Sequence, residues 1–408
     1  MIARDTADQL LAADPHNVVR LILPRQDPGH PAGRYGEAAR LLREWQDQGI
    51  LVPDEQPALY VYEQRLDDAG AAGPDAGRSA GRVVQRGLIG ALRLAPPAAG
   101  IVLPHEDVMP GPVAGRRQLM EATQANLEPI FLLYDGTGGS AATRLADEVA
   151  STRPPLLSAD TGDGLRHTLW AVTDPAEHAA VAADLAPRQA LIADGNHRYA
   201  AYLELQEGHH EAGDGSSPWD YGLALLVDSA AYPPRIGAIH RVLPGLDPAE
   251  AVRLAKGAFA VRALPADPAA LPAALDLLDA AGRCGVAFLV AGDGEIHLLT
   301  DPDPVQLAAA MPSGRSDRWR ALAASALQEL LLARVWGISD DELSVRVVHD
   351  DAARAIEEAG QAGGTAVICT ALSPADVYAV AEQGERLPRK STSFAPKPRT
   401  GLVIRTLA

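Results

Sequence analysis

The chain has 408 residues, 47% of them hydrophobic and 22% charged, so two lobes with separate cores are expected rather than one. A formal net charge of -17 argues against nucleic-acid binding, which depends on many Lys and Arg contacts to phosphate. No apolar run reaches about 18 residues and no basic start precedes one, so neither a membrane span nor a secretory leader is expected, and the expected location is the cytoplasm.

In chain order, Gly36 to Ile50 has the spacing of an amphipathic helix ending at Gly49. Ala58 to Gln64 alternates as a strand, and the Gly/Ala-rich DDAGAAGPDAGRSAGR after it is expected as a loop or insertion. Strand character resumes in VVQRGLIGALRL. LPHEDVMPG then leads to a helix expected from Arg116 to about Ala125, and PIFLLY has the apolar run of a buried strand. LRHTLWAV predicts a strand, Pro175 to Ala186 a helix, and YGLALLVD and RIGAIHRVL further strands. The pair His209-His210 is expected in a solvated loop.

From Asp247 the pattern alternates again, through PAEAVRLAKGAF, GVAFLVAGDGEIHLLT, one long helix in DRWRALAASALQELLLARVWG, GTAVICTA and PADVYAVAEQG. A Pro-rich tail with a final strand ends the chain. The expected architecture is mixed α/β (α+β) and two-lobed, with lobes 1–246 and 247–408 and a boundary near Leu246. Cys284 and Cys369 lie in apolar runs expected as buried strands, which favours free thiols over a disulfide.

Three segments could hold phosphate. In LIADGNHRYA an apolar strand stops at Asp194-Gly195, and Asn196, His197 and Arg198 open a helix. A helix start presents unpaired N–H groups to an anion, and His197 and Arg198 in the first turn could reach the same one. Asp194 could hold Mg2+ or accept a hydroxyl proton. The bland alternative is an Asp-Gly turn with Asn196 as cap.

GERLPRKST mimics a Walker A loop, but Arg389 stands where the loop needs glycine, and Pro388, Pro396 and Pro398 oppose the following helix, so a P-loop is rejected. Lys390, Ser391 and Thr392 remain candidates for an anion. The chain has three lysines, and two of them, Lys390 and Lys397, lie in this tail. Gly136, Gly138 and Ala141 fit a G-x-G-x-x-[GA] fingerprint, with Asp160 placed as a ribose-binding acid. That is the basis for an NAD(P)-binding oxidoreductase as an alternative. His105 and Glu106 follow an apolar strand, where a carboxylate beside an imidazole suits a general base. Arg116 opens the next helix, and AIHRVL adds His240 and Arg241. This inventory suits phosphoryl transfer, and acyl transfer has no motif to support it.

The blocks GEAARLLREWQDQGILVPDEQPALYVYEQ, LPHEDV, RRQLMEATQANLEPIFLLY, LIADGNHRYAAYLEL, AIHRVL and LPRKSTSFAPKPRTGLV resemble, in order and number, a widespread bacterial and archaeal family labelled DUF1015. That family usually has Asp-Gly-His-His-Arg, with Asn196 here in the first His position. It usually has Asp before the arginine matching Arg116, where Gly115 stands here. The Asp-Gly-x-His-Arg turn is similar to that of ParB/sulfiredoxin-like kinases of free serine, which implies such a core in the N-terminal lobe. By the same resemblance the expected activity is phosphorylation of a small hydroxyl compound, free L-serine by preference, using ATP or ADP and Mg2+. Glu106, Asp194, His197 and Arg198 would be catalytic, with Mg2+ on Asp194 and Glu106. Gly195, Asn196, His105, Arg116, His240, Arg241, Lys390, Ser391, Thr392 and Lys397 would bind the cofactor. A non-catalytic nucleotide-binding or regulatory protein is the alternative within the family. Partners are a hydroxyl substrate and a nucleotide, with a homodimer left open.

Overall fold

The computed structural model describes residues 4–25, 33–66 and 82–407, apart from 138, 161, 163, 214, 267 and 342. Residues 67–81, the Gly/Ala-rich segment, lie outside the described residues. The protein is mixed α/β, and its chain forms two compact units. The first comprises Met1–Leu103, Val108–Pro234 and Pro396–Ala408, and the second Pro104–Asp107 and Arg235–Ala395. The expected division at Leu246 differs from this. Ile239–Leu243 is an inner strand of the second unit's sheet, so the break falls before it, and the last residues return to the first unit.

The first unit is built on an eight-stranded mixed sheet. Its order is Val102–Leu103, Ala190–Asp194, Ile130–Tyr134, Tyr221–Asp228, Val83–Arg93, Leu59–Leu66, Leu165–Val172, Leu157–Asp160. Ile130–Tyr134 is the clearest apolar strand inside the sheet: Ile130, Phe131, Leu132 and Leu133 are fully buried, as a strand covered on both faces requires. Helix Asn196–Glu211 places Tyr199, Tyr202 and Leu205 against Ile130, Leu132 and Ile192. Helix Ala141–Thr152 covers Val61, Leu88 and Trp170 with Ala142, Ala146 and Val149. Because side chains alternate along a strand, Tyr62, Gln64, Gln85 and His167 lie on the other face.

The second unit holds a six-stranded antiparallel sheet in the order Ala260–Leu264, Glu295–Thr300, Phe288–Gly292, Thr365–Cys369, Ile239–Leu243, Arg346–His349. One face packs on Pro248–Ala255 and Ala326–Val335, the other on Leu271–Gly282 and Ala352–Gln361. A short ladder joins Arg235–Gly237 to Ser393–Ala395.

Several local expectations are corrected. The long helix expected after Ser316 is interrupted at Leu322, whose ψ of 136° is extended, and it continues as a π-helix over Ala326–Val335. Within it Ala326, Leu327, Leu330, Leu331 and Leu332 are buried. Cys284 is exposed in a turn rather than buried in a strand, Cys369 is half-buried, and both are free. His209 and His210 end the helix Asn196–Glu211 instead of lying in a loop. His209 stacks on Trp219 at 4.5 Å, and His210 Nε2 lies 2.7 Å from Asp220 Oδ1. Among the described residues, no helix is long and apolar enough to cross a membrane.

Candidate functional site

The first unit's strand Ala190–Asp194 is apolar until its last residue, and the helix begins one residue later. Gly195 makes the turn at φ +104°. A Cβ there would lie 3.0 Å from Ile130 Cγ2 and 3.1 Å from Arg198 Nη2, so any side chain at this junction is strained and glycine is favoured. Glycine at the N-cap brings no side chain to the first-turn N–H groups, and a 16-residue helix adds its dipole at that point.

Asp194 accepts from two cations, Arg198 Nη2 on Oδ2 at 2.5 Å and Lys397 Nζ on Oδ1 at 2.5 Å. Burial acts to raise its pKa, but the Arg198 and Lys397 charges outweigh this and hold the carboxyl at about 2. Arg198 also donates to Pro129 O at 2.5 Å. This differs from the expectation that Arg198 would project towards an anion: four residues after Asp194, its fork folds back on the carboxylate instead. His197 Nε2 accepts the Met109 N–H at 3.1 Å, which requires a lone pair on that nitrogen and hence a neutral imidazole. Asn196 is 7% exposed, and its Oδ1 has no partner among the described residues. Arg116 pairs with Glu128 at 3.1 Å and donates to Ile22 O at 3.2 Å, so it braces the turn's surroundings.

The tail returns to this turn through Lys397 rather than Lys390. Gln64 Nε2 donates to Lys397 O at 3.0 Å, Gln85 Nε2 to Pro396 O at 3.1 Å, and Arg399 N to Tyr62 Oη at 3.0 Å. Tyr62 Oη is 2.9 Å from His167 Nδ1. Sequence reasoning missed these sheet residues. Their signal was two glutamines at buried positions of alternating strands.

The second unit gathers the Pro-His-Glu and Lys-Ser-Thr motifs. Thr392 Oγ1 donates to Glu106 Oε1 at 3.3 Å. A hydroxyl carries one proton, so the 2.8 Å contact between Thr392 Oγ1 and His105 Nε2 has the imidazole as donor. The tail's Leu387 N–H donates to His105 O at 2.8 Å. Lys390 sits in a turn at φ +52°, and Ser391 Oγ is buried without a partner among the described residues. His240 accepts the Cys369 N–H on Nδ1, and burial lowers its pKa to about 4. Arg241 is 3% exposed, donates to Ile239 O and Arg389 O, and lies 3.5 Å from Asp340. Both side chains are therefore occupied within the second unit's packing.

The glycine-rich loop after Tyr134 is filled by protein. Asp228, 3% exposed, accepts the Gly136 N–H at 3.0 Å and the Thr143 hydroxyl at 2.8 Å. Asp184 accepts the Ala142 N–H at the start of helix Ala141–Thr152. A pyrophosphate would meet two carboxylates there. Gly138 lies outside the described residues. The strand after that helix, Leu157–Asp160, lies at the far edge of the sheet, so the βαβ unit a dinucleotide fingerprint needs is absent from the described residues.

Among the described residues, no group of three or more His, Cys, Asp or Glu side chains could hold a metal ion. Both Asp194 oxygens already accept from cations, an arrangement that does not fit the expected Mg2+ ligand. Glu106, the other expected ligand, belongs to the second unit.

Several solved structures are similar to this chain at low identity. A free serine kinase in complex with AMP is 15% identical, with a TM-score of 0.36, covering 76% of this chain and 88% of that one. A conserved hypothetical protein from Pyrococcus furiosus is 12% identical, with a TM-score of 0.36 and coverages of 79% and 95%. SbnI with C-terminal truncation from Staphylococcus aureus is 11% identical, with a TM-score of 0.36 and coverages of 76% and 84%. No curated protein matches the sequence. The family model described as protein of unknown function (DUF1015) matches residues 1–325, and the chain belongs to that family.

Proposed function

We propose that the protein is a nucleotide-dependent kinase of a small hydroxyl compound, with free L-serine the first substrate to test. The observation that carries this reading is Lys397 Nζ on Asp194 at the uncapped start of a 16-residue helix. A half-exposed ammonium beside a helix start that has no side-chain cap is a site for phosphate oxygens. Arg198 anchors Asp194 from the buried side, so Lys397 can turn towards an incoming phosphate without leaving the carboxylate uncompensated. Neutral His197 keeps its ring fixed by the Met109 amide. In a bound ATP or ADP, Mg2+ would ride on the nucleotide's own phosphates and neutralise part of their charge.

The motif resemblance assigns Glu106 as base for the substrate hydroxyl. Its carboxylate is positioned by the Thr392 hydroxyl, itself held by His105, which suits a group that must present one oxygen in a fixed direction. The alternative within the family, nucleotide binding without turnover, is favoured by Asn196, whose buried side chain replaces the imidazole usual at that position. The filled Gly136 loop leaves the NAD(P) alternative without support.

The test is to incubate the purified protein with ATP or ADP, Mg2+ and L-serine and assay O-phosphoserine by mass spectrometry, extending to a panel of hydroxylated metabolites. Product formation that Lys397→Ala and Glu106→Gln abolish supports a kinase. Calorimetric nucleotide binding with no product across the panel supports the non-catalytic reading.

A further inference from the structure

Three sheet residues converge on the four tail residues Pro396–Arg399. Gln64 and Gln85 are directly opposite one another on neighbouring antiparallel strands, and both are almost fully buried, at 1% and 2% exposure. The register shifts immediately after Gln64, where Arg65 pairs with Val83, so a bulge lies beside the pair. Bulges of this kind re-aim side chains, and they recur next to functional sites. The two amides donate to consecutive carbonyls, those of Pro396 and Lys397, while Tyr62 accepts the Arg399 N–H.

The amide orientations follow from chemistry. A main-chain carbonyl only accepts, so the nitrogen end of each glutamine must face the tail. Both Oε1 atoms then point away and have no partner among the described residues. A buried apolar side chain of the same size would fill these positions without stranding an acceptor. What glutamine adds is a pair of donors matched to one stretch of tail backbone. Lys397 lies in the middle of that stretch, and its Nζ reaches Asp194.

We infer that Gln64 and Gln85, with Tyr62, are positioning residues that clamp the tail backbone and so deliver the Lys397 ammonium to Asp194. The inference deepens the kinase reading, in which Lys397 contacts phosphate. Its test needs neither substrate nor nucleotide, so its failure and the failure of that reading are separable.

The chain's three lysines, Lys256, Lys390 and Lys397, make the readout specific. The intact protein is pulse-labelled with limiting acetic anhydride, and acylation at each lysine is measured by peptide mass spectrometry. Lys256 and Lys390 are internal references. In the wild type Lys397 should label slowly, because its nitrogen is engaged by Asp194. In the double variant Gln64→Met/Gln85→Met, which keeps side-chain length and removes both donors, Lys397 labelling should rise roughly fivefold or more relative to the references, a lower bound set by the net worth of just one of the two hydrogen bonds lost. Asp194→Asn should raise it as well, by removing the acceptor directly. An unchanged ratio in the folded double variant overturns the inference. If that variant unfolds and all three lysines accelerate together, the single variants Gln64→Met and Gln85→Met decide by the same ratio: a selective rise supports the clamp, and none in either overturns it.

Discussion

Asp194→Asn tests the electrostatics of the turn. The carboxyl is held at about 2 against an ordinary value of 3.8, a difference of nearly two pH units. At full value this is about 2.5 kcal/mol of stability. The Arg198 side chain is 12% exposed, but that of Lys397 is 52% exposed, so water screens part of the interaction. About 1–2 kcal/mol is the discounted expectation. The sign follows from a folded-state pKa depressed below the unfolded one. The contribution is fully present above the unfolded value near 4 and is lost as the pH falls towards 2. Calorimetric unfolding of wild type and variant, run in parallel from pH 7 down to pH 2.5, measures the gap at each pH and cancels the titration of the other carboxylates. The gap should be open at pH 7 and narrow progressively below about pH 4. A gap that is absent at neutral pH, or that persists unchanged in acid, would refute the argument that two cations hold this carboxylate ionised.

Gly195→Ala places a Cβ at φ +104° and 3.0 Å from Ile130. It should cost about 1–3 kcal/mol in chemical denaturation and displace the first helical turn, abolishing nucleotide binding by calorimetry. Gly136→Ala would bring a Cβ to 1.9 Å from Asp228 Oδ2. The buried carboxylate must move, with an expected loss of about 2–4 kcal/mol in the same assay. Glu106→Gln should lower turnover by a factor of about 100 or more while leaving the melting temperature near that of the wild type, because a neutral amide can still accept the Thr392 hydrogen bond. With a thiol reagent at neutral pH, exposed Cys284 should react and Cys369 should not, since burial pushes the Cys369 thiol up to about 11. Peptide mapping after a timed pulse distinguishes the two.

Strands Ile130–Tyr134 and Ala190–Asp194 were legible because they are short, nearly continuous apolar runs, and such runs are local signals. The strand-to-helix break at Gly195 was legible for the same reason. Partners at long sequence separation were not. Lys397 meets Asp194 across 203 positions, and Gln64 meets the Lys397 carbonyl across 333. No periodicity records which tail residue returns, so Lys390 and Lys397 were equivalent in sequence.

Arg198 shows a different failure. A guanidinium in a first helical turn looks the same in sequence whether it points outward or folds back on a carboxylate four residues earlier. The Gly136 loop fits the dinucleotide pattern as text, and it fails because Asp228, far away in sequence but on the neighbouring strand, fills the space a phosphate would need. The interrupted helix after Ser316 was hidden because extended geometry at Leu322 carries no compositional mark.

The most direct measurement is a crystal structure of the protein grown or soaked with ADP. The account predicts phosphate oxygens on the backbone N–H groups of residues 196–198, with Lys397 Nζ turned to meet them and Arg198 still on Asp194. Nucleotide bound elsewhere in the molecule, or none at millimolar concentration with Lys397 unmoved on Asp194, would contradict it.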